Sequence, residues 1–525
     1  MISTTFRARA LPAFVAVSLC LSVAAIAGEP RGPARQTPGG PLLEQRQAAS
    51  LPGHSAEARW KSSLPRLRYW NQVAVDSSGL DHAPVQPGEQ RTFGEALGPG
   101  RSSRAIAIVH IAIFDAVNAV AGAFESYAGV QRAKAGTSMD AAIATAAHDA
   151  LVGVFPSHKP RLDDLYAEDM KHVRAGGGRT VADGVAVGHA AAAAILALRT
   201  GDGSETPEPT VGVGYITSDD PGRWRMDPIS LKTVALGAHW GDVKPFVLTS
   251  SSQFRVPPPP PLDSPEYAAA FNEVKTVGGD GLVTPTVRTP DQTIAGIFWA
   301  YDGTPSLCAP PRFYNQITVA IAEKMGTNLV DLARLLALIN VSMADAGIAV
   351  WESKYFYDFW RPVTGIRESE PGTGPSGLGD NNVDTAGDPT YVPLCAPASN
   401  LGGPNFTPPF PAYPSGHAGF GGAIFETLRN FYGTDEIPFT LISDEFNGIT
   451  TDSAGNVRPL IPRSFSTLSQ AEEENGQSRI YLGIHWKFDK VEGIAQGRKV
   501  ADYVFQHAFL PASSAASTHG KSSNH

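Results

Sequence analysis

The sequence predicts an all-α protein of two packed helical bundles, with the polar motifs gathered in the C-terminal one. Three observations predict it. From Ser102 to Ala119, Ile106, Val109, Ile113, Phe114 and Val117 recur mostly at three- and four-residue steps, the period of an amphipathic helix. Asp140 to Val154 and Val181 to Leu198 are rich in alanine, which loses no side-chain entropy in a helix. Alternating apolar and polar runs, the mark of strands, are hard to find. Further along, residues 201–262 carry many Gly and Pro, and Pro257 to Pro261 form a stiff extended connector. Helical pattern resumes at Ser264 to Val277, Asp291 to Tyr301 and, as one long segment, Arg312 to Val350. A Gly/Pro/Asp/Asn stretch from Pro371 to Pro411 reads as loop. Two more helices are predicted at Ser415 to Phe431 and Lys490 to His507.

With 525 residues, 42% of them hydrophobic and 18% charged, the chain can bury a large core. A net charge of −9 argues against nucleic-acid binding, which needs a basic face, but leaves room for a small anion pocket. Arg7 and Arg9, the apolar run from Ala10 to Ala24 and the small-x-small Ala25-Ile26-Ala27 read as a cleaved secretory signal. A retained anchor is the alternative. No later segment is expected to span a membrane, so the mature protein is placed in the periplasm or outside the cell. The expected domains are a signal peptide at 1–27, a flexible leader at 28–60, an N-terminal helical half with its connector at 61–262, a C-terminal bundle at 263–510 and a disordered tail at 511–525. Cys308 and Cys395 survive cleavage, as one disulfide or as two buried thiols.

Three segments carry the chemistry. In Lys354-Tyr-Phe-Tyr-Asp-Phe-Trp-Arg361-Pro362 the seven-residue spacing puts both cations on one face of a helix that Pro362 ends or bends. Pro414-Ser415-Gly416-His417 looks like a helix start, with free backbone N–H groups for an oxyanion, a hydroxyl donor and an acid/base imidazole. In Ser478-Arg479-Ile-Tyr-Leu-Gly-Ile-His485-Trp-Lys-Phe-Asp489, a helix would let Asp489 accept from His485 Nδ1 and leave Nε2 as a lone pair. Alone, each also fits a dull role: surface cations, a capped helix, an i to i+4 ion pair. Together they supply three fixed cations, neutral donors and one nucleophilic imidazole, a set suited to a tetrahedral oxyanion attacked axially by histidine.

The combined pattern resembles the superfamily shared by type 2 phosphatidic acid phosphatases, bacterial acid phosphatases and vanadium haloperoxidases. Trp351 before Lys354, and Phe410-Pro-Ala-Tyr before Pro414, are similar to the fungal-type vanadium chloroperoxidases, as is Phe298-Trp-Ala-Tyr-Asp302-Gly with Pro310-Pro-Arg-Phe-Tyr-Asn-Gln316. The resemblance implies a vanadium-dependent haloperoxidase that oxidises bromide, and by the lean of Phe410 also chloride, with hydrogen peroxide to hypohalous acid. It implies orthovanadate, V(V), as cofactor, held as a peroxovanadate on His485, the metal ligand; phosphate would fit the same site. Lys354, Arg361, Ser415, Gly416 and Arg479 would hydrogen-bond the vanadate oxygens, with His417 as acid/base, Lys354 polarising the peroxide, Asp302 holding Arg479, and Trp351 and Phe410 lining the pocket. The organic acceptor stays open, and the N-terminal half leaves room for a homo-oligomer. The alternative is an acid phosphatase of this superfamily with a phosphohistidine on His485.

His110 and Asp115 are expected to be structural, and His148, His172 and His189 to be surface or paired residues. The Asp380-Asn-Asn-Val-Asp384 loop could bind calcium, though such loops usually bind only water. Tyr355, Phe356, Tyr357, Phe359 and Trp360 are expected to pack the bundle.

Overall fold

The computed structural model describes residues 62–512 apart from 176–179, 305–306, 397–404 and 450–455, all within one unit, Gly40–His525. The predicted signal peptide and leader, and residues 513–525 of the predicted tail, lie outside the described residues. Thirteen α-helices make up the described fold: α1 Ser63–Asp81, α2 Gly98–Ala121, α3 Met139–Val154, α4 Lys159–Ala175, α5 Val181–Leu198, α6 Pro265–Gly278, α7 Pro290–Phe298, α8 Pro311–Lys324, α9 Leu329–Tyr357, α10 Pro362–Glu368, α11 Gly416–Tyr432, α12 Leu468–Tyr481 and α13 Lys487–His507. The described strands are β1 Phe439–Leu441 and β2 Arg463–Phe465, a short antiparallel pair.

Helices α1 to α5 pack on one another in the N-terminal half, and α9, α11, α12 and α13 in the C-terminal half. Helix α9 joins them. It packs on α2 on one side and on α11 and α13 on the other, and nearly every residue from Leu332 to Val350 is buried. One hydrophobic core therefore runs through both halves, from Leu67 to Phe509. A second cluster, with Tyr267, Phe271, Trp360, Trp486 and Phe488, packs the joint between α6, α10 and the start of α13.

Several expectations need correction. The segment expected as one helix from Arg312 to Val350 is two, because Gly326 at φ +67° ends α8 and Asn328 caps α9 by accepting from Val330 and Asp331 N–H. Helices α1, α4, α10 and α12 are not among the expected ones; α12 has almost no apolar stripe (Gln470 and Glu473 are exposed, Glu474 and Gln477 half-buried), so periodicity does not find it. Helices α2, α5 and α9 are each long and apolar enough, by length and composition, to cross a membrane, against the expectation that no later segment is. In α2 and α9 that apolar surface lies inside the core; α5 is mostly exposed. Cys308 and Cys395 are both free and buried. Asp380 is taken up by Asn382 N–H and the Thr385 hydroxyl within its own loop.

Candidate active site

The site forms where α11 and α13 cross in backbone contact. A Cβ on Gly497 would sit 2.1 Å from the Gly419 carbonyl oxygen, and one on Gly422 2.5 Å from that of Ile494. Only glycine allows so close an approach. The crossing sets the start of α11 against the start of α13, where Ser415 N–H donates to the Asp489 carbonyl at 2.9 Å. Ser415 caps α11, its Oγ accepting from Ala418 N–H. The His417 carbonyl accepts from Tyr314 Oη at 3.1 Å and Asn475 Nδ2 at 2.9 Å, which pins the first turn.

Lys354 and Arg361 do not share a helix face. Helix α9 ends at Tyr357, Asp358 takes the left-handed conformation at φ +52°, and Arg361 becomes the N-cap of α10 with Pro362 at N1. Proline opens the next helix rather than ending the last one, because its missing N–H costs nothing at N1. Lys354 Nζ is buried and donates to the carbonyls of Pro411, Ala412 and Pro414 at 2.9, 2.9 and 2.5 Å, so all three ammonium protons hold the loop leading into Ser415. Arg361 Nε donates to the Phe410 carbonyl at 2.9 Å, and Nη1 to the Ile484 carbonyl at 2.8 Å.

His485 and Asp489 pair as expected, but not within one helix. His485 stands in the turn between α12 and α13, and Asp489 is the third residue of α13. Asp489 Oδ2 accepts from Trp486 N–H at 3.0 Å and lies 2.7 Å from His485 Nδ1. Arg361 Nη1, which can only donate, lies 3.0 Å from His485 Nε2. A donor at Nε2 and an acceptor at Nδ1 assign one tautomer: neutral imidazole, proton on Nδ1, lone pair on Nε2. Burial, then Arg361, Lys354 and Arg479, push the His485 pKa well down, which keeps that form at neutral pH. Burial pushes Asp489 up to about 7, against the pull of Trp486 N–H, Lys354 and Arg361.

Arg479, at the end of α12, gives Nη2 to both oxygens of Asp302, at 2.6 and 2.8 Å. His417 Nε2 lies 2.6 Å from the Ala300 carbonyl and 4.0 Å from Asp302 Oδ1. Burial and Arg479 push the His417 pKa well down. Burial lowers Lys354 strongly and brings Arg361 down to about 9, in both cases with neighbouring cations adding to the fall.

A cavity of about 230 Å³ opens over these groups. Asp302, Trp351, Phe410, Gly416, His417, Arg479 and His485 line it, while Lys354, Arg361 and Ser415 are not part of that lining. Trp351 and Phe410 pack with ring centroids 4.9 Å apart, and Lys354 Nζ lies 5.1 Å from the Phe410 centroid. A Cβ on Gly416 would meet the Trp351 ring at 3.0 Å, so glycine lets the α11 start approach this wall. Sequence reasoning missed the rest of the wall, including His82, Phe93, Leu236, Phe406 and Phe420. They come from separate parts of the chain and share no motif.

The donor set fits a tetrahedral oxyanion such as vanadate. Three buried cations, Lys354, Arg361 and Arg479, stand with the carboxylates of Asp302 and Asp489. Arg361 Nη2 and Arg479 Nε and Nη1 are buried with no hydrogen-bond partner among the described residues. An unpaired buried donor costs about 1–3 kcal/mol, more when charged, and an anion in the cavity would remove that cost.

Comparison with known proteins agrees in kind. The family model described as the VCPO second helical-bundle domain matches residues 334–512. A vanadium chloroperoxidase of Curvularia inaequalis is 30% identical over 500 residues, covering 81% of this chain and 78% of that protein. Among solved structures, the first bacterial vanadium-dependent iodoperoxidase superposes with a TM-score of 0.64 at 23% identity, covering 84% of this chain and 97% of the other. An apo-type bacterial vanadium-dependent chloroperoxidase gives 0.56 at 17% identity, covering 78% and 94%.

Proposed function

The chain belongs to the vanadium haloperoxidase family, and we propose that its own reaction is oxidation of bromide and chloride by hydrogen peroxide to hypohalous acid. One observation carries the reading: a neutral His485, its Nε2 lone pair set by Asp489 and Arg361, beside the orphaned guanidinium donors of Arg361 and Arg479. Vanadate, when bound, supplies a Lewis-acidic V(V) centre that activates peroxide toward halide. His485 Nε2 would hold the metal. Arg361 and Arg479 would neutralise its oxygens, with Ser415 and the Gly416 N–H at the α11 start.

Lys354 contributes charge and rigidity, since its protons are spent on the 411–414 loop. Asp489 holds the imidazole tautomer, and Asp302 aims Arg479. His417, buried and neutral at the cavity wall, would take and return a proton of the peroxide. Trp351 and Phe410 give the cavity an apolar face that strips water from a halide, and Phe410 underlies the assignment of chloride as well as bromide. The N-terminal signal pattern supports action outside the cytoplasm.

The test uses purified protein freed of phosphate, assayed before and after addition of orthovanadate. Bromination and chlorination of a phenol-type dye with hydrogen peroxide are expected only with vanadate, and are expected to be lost in His485→Ala. Fast hydrolysis of an aryl phosphate that vanadate inhibits, without halogenation, would overturn the proposal in favour of a phosphatase.

A further inference from the structure

The protein brings together Asp81, Glu95 and His158, the first two close in sequence to residues of the cavity wall. Each offers a ligand atom, and these atoms lie within 4.8 Å of one another. They come from three places: the last residue of α1, the loop before α2, and a short 3-10 turn, Pro156–His158. His158 is 2% exposed, and neither ring nitrogen has a hydrogen-bond partner among the described residues. A buried imidazole with both nitrogens unpaired is costly by packing logic alone. Its ring stacks on Phe155 at a centroid distance of 5.3 Å, which faces it without satisfying either nitrogen.

We infer that Asp81, Glu95 and His158 form a binding site for a divalent metal ion of borderline softness, with zinc as its preferred occupant. One imidazole and two carboxylates are a mixed N/O set that suits Zn²⁺ better than Ca²⁺, which takes oxygen ligands alone. The carboxylates are already oriented. Asp81 Oδ1 and Oδ2 accept from Glu95 and Ala96 N–H at 2.8 and 2.9 Å, and Glu95 Oε2 accepts from Ser157 Oγ at 2.8 Å. Each oxygen keeps a lone pair for a metal, and these bonds fix its direction as outer-shell bonds do in metal sites.

Arg91 and Arg161 stand close enough to oppose a cation. Arg91 is drawn off by Glu89 and the Leu80 carbonyl, and Arg161 is directed at Ser77 Oγ.

The site is tied to the cavity wall. Glu95 lies between Phe93 and Leu97, which line the cavity, and His82, also in the lining, follows Asp81 and accepts from Gly98 N–H at 2.9 Å. An ion here would lock α1, the 93–97 loop and the 156–158 turn into one piece. The assignment does not rest on the haloperoxidase reading.

The experiment titrates chelator-treated, dialysed full-length protein with Zn²⁺ alone, by calorimetry and thermal melting, and locates zinc by anomalous diffraction. One tight equivalent at these three residues is expected, with Tm raised by about 3 °C at a hundredfold excess over Kd. His158→Phe keeps the stack on Phe155 and is expected to abolish that equivalent. Glu95→Gln, which keeps an acceptor for Ser157, is expected to weaken it at least tenfold. His189→Ala, at the surface His148–Asp149–His189 cluster, is expected to leave it unchanged. No bound zinc at these residues, or undiminished binding in a folded His158→Phe protein, would overturn the assignment.

Discussion

At the scale of single residues, the site turns on which proton sits where. Asp489 does two things to His485: it holds the proton on Nδ1, and in its ionised form, which burial disfavours, it adds a negative charge beside an anion site. In Asp489→Asn these effects oppose each other. Orientation and basicity of the imidazole weaken, while removal of a carboxylate raises the positive potential felt by vanadate. The expected outcome is a fall of about 10–100-fold in halide turnover with a smaller loss of vanadate affinity. Steady-state kinetics at saturating vanadate, set beside a vanadate titration, would separate the two, and equal losses would mean that orientation alone governs both. Residue types and order in the three motifs made this chemistry readable, since each group has few ways to serve. Which donors are free was not readable: Lys354 looked like an anion donor, but the loop at Pro411 to Pro414 takes its protons.

Among elements, the α11–α13 crossing is the joint that assembles the site. Gly422, Gly493 and Gly497 let the two backbones touch, and the contact puts the Ser415 cap on the Asp489 backbone. Gly497→Ala would force the helices apart, because its Cβ meets a carbonyl oxygen rather than a yielding side chain. Overpacking of this kind costs about 1–3 kcal/mol. The expected result is a lower Tm together with weaker vanadate binding, and a lower Tm with vanadate binding intact would show that the crossing does not position the α11 start. Helices α2, α3, α5, α6, α7, α11 and α13 were legible because an apolar face, an alanine run or a Pro or Ser start marks them. The break between α9 and α10 was not. Lys-x6-Arg matches the helical period, and nothing local announces that Asp358 turns left-handed.

For the molecule as a whole, one core spans both halves, and it buries titratable groups far from the cavity. His110 on α2 is 1% exposed, and burial pushes its pKa down to about 3. The unfolded chain binds this proton at about pH 6.5, so stability is complete above that pH and falls as pH drops toward 3. At pH 5 the loss from this residue is about 2 kcal/mol. His110→Met, compared with the parent in thermal melts at pH 7 and pH 5, is expected to show a shallower fall in Tm. Equal falls would remove His110 as an acid trigger.

The all-helical class and the identity of the chemical groups were set by sequence, because helical periodicity is local and the motif residues are the few types able to hold an oxyanion. How those groups meet was set by packing. The break at Asp358, the glycine crossing of α11 and α13, the spending of Lys354 on backbone carbonyls and the cavity wall drawn from residues 82 to 485 all depend on contacts distant in sequence. Such contacts exist only once the core has closed, and no local pattern encodes them.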